Sequence, residues 1–228
     1  MKKKTLLTIV CMLLVSMVSV MGTLAYLADS DSNVNTFTVG NVYISLDEAD
    51  VDEEGKQILD AAGKPVERVK ENEYHLLPGQ TYIKDPTVTV QADSEPAYIR
   101  MILTVHNASA VQKILDRYQL GDYSVLIGGW DPAIWLYHGY EEDTTNNTIS
   151  FEFRYRETIG AGDQAEKLEP LFETLIVPGK ANNAEMQALY DGGFKMVVHG
   201  HAIQAAGFDD ADAAWSAFDT QMEAPATP

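Results

Sequence analysis

The chain has 228 residues, 34 of them acidic and 16 basic, for a formal net charge of −18. That surplus of negative charge excludes nucleic acid and anionic lipid as partners held by charge, and it favours solubility and cation binding. Cys11 is the only cysteine, so no intrachain disulfide can staple the fold and stability must come from a packed core.

Lys2, Lys3 and Lys4 open the chain, and no charge follows from Thr5 to Ala28. Basic residues, an apolar run and the small-x-small site Thr23-Leu24-Ala25 have the form of a secretory signal peptide. The expected cut lies between Ala25 and Tyr26. An uncleaved membrane helix is the rival, since about 20 apolar residues span a bilayer. Ser16, Ser19, Gly22 and Thr23 dilute the second half of the run and favour removal of residues 1–25. Both readings place the remainder outside the cytoplasm, with the membrane met only through this segment. Removal takes three lysines and leaves 13 basic against 34 acidic residues, a net charge of −21 over 203 residues. That length suffices for one sizeable domain.

Residues 26–34 are rich in Ser, Asp and Asn and are expected to be flexible. The first strand signal follows over Phe37–Leu46. Phe37 and Val39 share one phase of alternation, and Val42, Ile44 and Leu46 share the other. The slip at Gly40-Asn41 predicts a bulge or a corner between sheets. A β-rich stretch close behind a freed N-terminus is a candidate assembly strand, able to pair with a neighbour's sheet edge. The same residues fit a strand paired inside their own domain equally well.

Residues 47–73 are acid-rich and hold two Gly-Lys turns eight residues apart, Gly55-Lys56 and Gly63-Lys64. This spacing predicts a projecting acidic hairpin inserted into the domain. Asp50, Asp52, Glu54 and Gly55 imitate the start of a calcium loop, but Ala61 stands where a bidentate Glu is needed. A solvated turn is the better reading.

Further strands are expected at Thr87–Gln91, Tyr98–His106, Ile134–Tyr140, Thr148–Arg156, Phe172–Val177 and Phe194–Gln204. In the fourth of these, Ile149, Phe151, Phe153 and Tyr155 alternate with Ser150, Glu152, Arg154 and Arg156, as in a hairpin arm with one wet face. Ser109 with Gln112 and Asn182 with Glu185 read as capping boxes opening helices that reach Tyr118 and about Tyr190. A third helix is expected after Asp209, carrying Trp215 and Phe218, before a loose tail at 221–228. Many short strands without βαβ alternation predict a mainly β, antiparallel sandwich of jelly-roll type over 35–220, with two or three short helices in its connections.

His199-Gly200-His201 is the metal-like spacing in the chain, because positions i and i+2 of a strand share a face. Against zinc stands the reading that Lys195, His199 and His201 form the wetter face of that strand. No H-E-x-x-H, G-x-S-x-G or P-loop occurs. No catalytic residue and no cofactor is assigned, calcium and zinc being the candidates weighed. Trp130, Trp135 and Trp215 fit a sugar platform less well than core packing.

Gly22-Thr23-Leu24-Ala25-Tyr26-Leu27-Ala28-Asp29-Ser30, followed by Asn35-Thr36-Phe37-Thr38-Val39-Gly40, resembles the export signal of the TasA/camelysin group of Gram-positive bacteria. The stretches 71–90 and 95–105 are similar to members of that group as well. The resemblance implies cleavage by a SipW-type signal peptidase and a jelly-roll domain at the cell surface or in the biofilm matrix, where members build fibres. It implies partners among matrix or cell-wall components and other copies of the chain. Camelysin itself is classed as a metalloendopeptidase, but no zinc motif is present here to carry that activity over. The expected function is therefore an exported structural protein. A camelysin-like metalloendopeptidase and a cell-wall or carbohydrate-binding module are the alternatives.

Overall fold

Ile99, Met101, Leu103 and Val105 point one way from their strand, and all four are buried. They anchor the largest sheet of a computed structural model that describes residues 28–31 and 42–223. In chain order the strands begin with β1 (Ala28–Asp31), β2 (Ile44–Asp47), β3 (Thr81–Ile83), β4 (Thr87–Val90) and β5 (Ala97–His106). Helix α1 (Ala108–Tyr118), a short 3-10 helix (Tyr123–Leu126), β6 (Ile127–Gly128), β7 (Trp135–Asp143) and β8 (Thr148–Tyr155) follow. The remainder is β9 (Glu166–Lys167), β10 (Thr174–Ile176), α2 (Asn183–Asp191), β11 (Met196–Gln204) and α3 (Ala211–Glu223). Among the described residues the protein is mainly β, with antiparallel pairing throughout these strands and three short α-helices, as the sequence leads one to expect.

A five-stranded sheet has the order β1-β11-β5-β8-β7. Two smaller sheets have the orders β2-β4-β9 and β3-β10-β6. The β2-β4-β9 sheet packs across β11: a methyl group added to Gly200 would lie 3.3 Å from Val88 Cγ2 and 3.7 Å from Ile44 Cδ1. Glycine lets the two layers approach this closely. One apolar cluster fills this interior and includes Val42, Ile44, Val88, Val90, Phe172 and Trp135. On the other face of the large sheet, Ile203 packs with Ala214, Trp215 and Phe218 of α3 in a separate, smaller core.

The acid-rich insertion has two tight turns, with Gly55 and Gly63 at φ +74° and +76°. Its base is docked rather than projecting freely. Arg68 donates to Asp85 Oδ2 at 2.7 Å and is also paired with Asp47, and the buried Glu48 and Lys84 meet at 2.6 Å. Gly55 seats directly against Tyr82, where a Cβ would fall 2.5 Å from the ring.

Two helix boundaries depart from expectation. Helix α1 is not opened by a Ser109/Gln112 capping box. Its N-cap is Asn107, in the left-handed region at φ 56° and making no side-chain cap bond. The Asn107 amide instead donates to the carbonyls of Ala188 and Leu189 at the end of α2, a tertiary contact that outranks the local motif. Helix α3 runs on to Glu223, into the stretch expected to be a loose tail. The Asn182/Glu185 capping box of α2 is present in full.

Candidate functional site

The expected cleavage residues Thr23, Ala25 and Tyr26 lie outside the described residues, as do Phe37 and Val39 of the candidate assembly strand. The rest of that strand is paired within its own domain. Val42 and Ile44 are buried, and β2 pairs with β4 in the register Ile44↔Val90 and Leu46↔Val88. Lending Val42, Ile44 and Leu46 to a neighbour would strip this core of apolar cover. Part of the segment expected to be flexible is instead a strand. Ala28–Asp31 pairs antiparallel with Gly200–Ile203 of β11 and forms one edge of the five-stranded sheet.

His199 and His201 share the β11 face turned toward α3. The ring of His201 lies 4.9 Å from that of Phe218, and its Nδ1 accepts a hydrogen bond from Arg100 Nε at 3.1 Å. Burial, and then the charges of Arg100 and His199, push its pKa down to about 3 against the opposing pull of Asp219. One ring nitrogen is thus engaged and a guanidinium stands beside it, an environment that repels a cation. His199 is also shifted down by burial. Among the described residues no cluster of three or more His, Cys, Asp or Glu side chains is placed to hold a metal ion. In the calcium-like stretch Asp52 closes a turn by accepting from the Lys56 amide, and beyond it Asp60 accepts from those of Ala62 and Lys64.

Arg100 is the centre of a closed knot beneath α3. Its guanidinium lies 4.5 Å from the Trp215 ring and 4.9 Å from that of Phe218. It pairs with Asp219 and approaches Glu152 at 3.7 Å. Arg154 ties Glu152 to Asp212 of the same helix. The neighbouring strands thereby hold α3 through charge and stacking together.

An open cleft of about 870 Å³ lies between α1 and the β7–β8 hairpin. Its sheet wall is aromatic. Tyr137 lies over Phe153 with ring centres 5.8 Å apart, and Tyr140 over Phe151 at 6.2 Å. Trp130 and Tyr123 extend the row, at 5.5 Å from Phe153 and 5.4 Å from Phe151. A regular strand would send residues three apart to opposite faces. A register shift between Tyr137 and Gly139 brings both tyrosines to the same face, and Gly139 has φ +153°. Bulges re-aim side chains in this way beside functional sites.

The opposite wall is polar. Ser109, Gln112, Lys113 and Asp116 line the cleft from α1, and their i, i+3, i+4, i+7 spacing forms one stripe of the helix. The apolar stripe of Val111, Ile114 and Leu115 is buried on another side. Two of the rings are fixed by their polar atoms. Trp130 Nε1 donates to the Trp135 carbonyl at 2.8 Å, and the Tyr123 hydroxyl to the Ala108 carbonyl at 2.9 Å. Burial raises the Tyr123 pKa to about 12, helped by the charges of Glu142 and Asp116, so its proton stays in place.

Of the three tryptophans, Trp135 and Trp215 are core residues, as composition favours, and Trp130 is the one in the cleft. The tyrosines were legible only as strand residues. The signal that marks them is Tyr137-His138-Gly139-Tyr140, an aromatic pair spaced by three around a glycine inside a strand pattern. The chain matches no family model, no curated protein and no solved structure.

Proposed function

We propose that this chain is an exported, non-catalytic protein of the bacterial cell surface or extracellular matrix, whose jelly-roll-type sandwich joins other copies through its N-terminal strand. The observation that carries the reading is the place of β1. Four residues just beyond the signal-like segment pair with the edge of the large sheet. Each backbone hydrogen bond contributes only about 0.5–1.5 kcal/mol net, so so short an edge strand is weakly held. Released from its own sheet, β1 recovers the same ladder on the β11 edge of an adjacent copy, and the exchange is close to neutral in energy. Repeated head to tail, it makes a filament. The likeness of residues 22–40 to the TasA/camelysin export signal supports the same location and the same kind of assembly.

The net charge of −21 on residues 26–228 opposes close approach, and salt screens it. Every described element lies within that range. The test compares chains starting at Tyr26 and at Ser32 by light scattering and negative-stain microscopy across salt, calcium and pH. The longer chain is expected to be monomeric in dilute buffer and filamentous as salt, calcium or acidity rises. The shorter chain, lacking β1, is expected to remain monomeric. A longer chain that never assembles, or a shorter one that assembles equally well, overturns the reading.

A further inference from the structure

We propose that the cleft between α1 and the β7–β8 hairpin binds a neutral glycan chain. The argument rests on its two unlike walls. A sugar ring presents C–H faces that stack on aromatic rings, and hydroxyls at its rim that need hydrogen-bond partners. The sheet wall supplies the rings, with Tyr137 and Tyr140 at the mouth and Phe151 and Phe153 beneath them. The helix wall supplies donors and acceptors of both kinds through Ser109, Gln112, Lys113 and Asp116.

The exposure of the two tyrosines fits this role. Tyr137 is 48 % exposed and Tyr140 65 % exposed, yet both are turned into one row by the bulge instead of being scattered over the surface. Beneath them, Trp130 and Tyr123 are already tethered by hydrogen bonds. A ligand therefore meets a wall that needs little ordering, which lowers the cost of binding. The volume of about 870 Å³ lies in the upper part of the usual range for ligand clefts, roughly 300–1,000 Å³, and suits several linked sugar residues.

Charge and polarity narrow the class. Asp116, Asp122 and Glu142 face the cleft against the single cation Lys113 among its described lining. A uronate, sulfated or phosphorylated polymer would meet repulsion there. A fatty chain would strip water from the polar stripe of α1, where Gln112 Nε2 donates to Asp116 Oδ1 at 2.7 Å, and desolvating such groups without new partners is costly. A basic peptide would suit the acids but leave the aromatic row without a reason, and its binding would fall steeply with salt. The cleft's chemistry stands apart from strand exchange at β1, which lies at the other end of the sheet order.

The test titrates the 26–228 chain with cellohexaose and N-acetylchitohexaose, followed by calorimetry and tryptophan fluorescence, with laurate and hexalysine as rival probes. At least one neutral oligosaccharide is expected to bind at millimolar concentration or below, with little dependence on salt and a change in Trp130 emission. Tyr137→Ala with Tyr140→Ala is expected to weaken it about 10-fold or more through the lost ring contacts, with the unfolding temperature nearly unchanged. A second variant, Gln112→Ala, should weaken binding while leaving the aromatic wall whole. Absence of binding by both oligosaccharides, tighter binding of laurate or hexalysine, or full affinity in the double variant overturns the proposal.

Discussion

Two groups of aromatic side chains occupy opposite faces of the five-stranded sheet, and they end in opposite states. Under α3, Trp215 and Phe218 are almost fully buried around Arg100. Across β7 and β8, Tyr137 and Tyr140 stay open to solvent above Phe153 and Phe151. The difference lies in the helix that each face meets. Trp215, Phe218 and Asp219 stand at i, i+3 and i+4 of α3, so one stripe delivers two rings and a counter-charge to the sheet. Helix α1 spends its apolar stripe elsewhere and turns its polar stripe to the aromatic row. A sheet face thus becomes core or cleft according to the stripe that covers it, and similar residues serve both outcomes.

The comparison is broken most directly by deleting one ring on each side. Trp215→Ala is expected to cost about 3–5 kcal/mol, as for other large aromatic truncations in cores. Tyr140→Ala should stay within about 0.5 kcal/mol, as for surface positions. Chemical denaturation of the two variants checks this, and equal losses would erase the distinction drawn between the two regions.

Arg100→Met asks whether charge or bulk holds α3. The substitution keeps an apolar stem against Trp215 but leaves His201 Nδ1 and Glu152 without the guanidinium. Because Asp219 is half exposed, the loss is expected at about 3 kcal/mol, the lower end of the range for breaking a buried pair. A stability equal to the parent would mean that stacking area alone holds the helix.

His201 sharpens the same point through pH. Its folded-state pKa is about 3, below the ordinary value near 6.5. Between those values the unfolded chain binds the proton and the folded chain does not, so protons favour unfolding. Stability from this group is complete above about pH 6.5 and is lost progressively as pH falls toward 3. The slope is at most about 1.4 kcal/mol per pH unit. His201→Gln, which keeps an acceptor for Arg100, should flatten the wild-type curve over that window. Parallel curves for the two proteins would show that His201 is protonated in the folded state after all.

Much of the frame was legible in the sequence because local signals and tertiary packing agree there. Ile99–Val105 alternates, Asn182 and Glu185 cap α2, and Trp215 and Phe218 mark a buried helix stripe. Strands β3, β6 and β9 were not legible, since runs of two or three residues carry no periodicity and are defined by their partners. The start of α1 departs from its local motif because the Asn107 side chain is committed to α2. High β-propensity in the stretch around Val42 and Ile44 goes with burial of both side chains. The cleft was hidden for a related reason. Period-two alternation puts Tyr137 and Tyr140 on opposite faces, and only the bulge between them reverses that.

Gly139 therefore offers the finest test. At φ +153° it sits where side chains are disfavoured, and open space surrounds the position a Cβ would take. Gly139→Ala meets no steric wall, so its penalty is backbone strain alone, about 1 kcal/mol. Relief of that strain comes from shifting the bulge, which turns Tyr140 away from Phe151 while Tyr137 keeps its place over Phe153. Stability should change little, whereas oligosaccharide affinity should fall about as far as in Tyr140→Ala alone. Combining Gly139→Ala with Tyr140→Ala should add almost nothing further to the loss of affinity, because both act on the same ring. Additive losses would mean that Gly139 serves the cleft by another route, and unchanged affinity in Gly139→Ala would show that the bulge does not set the aromatic row.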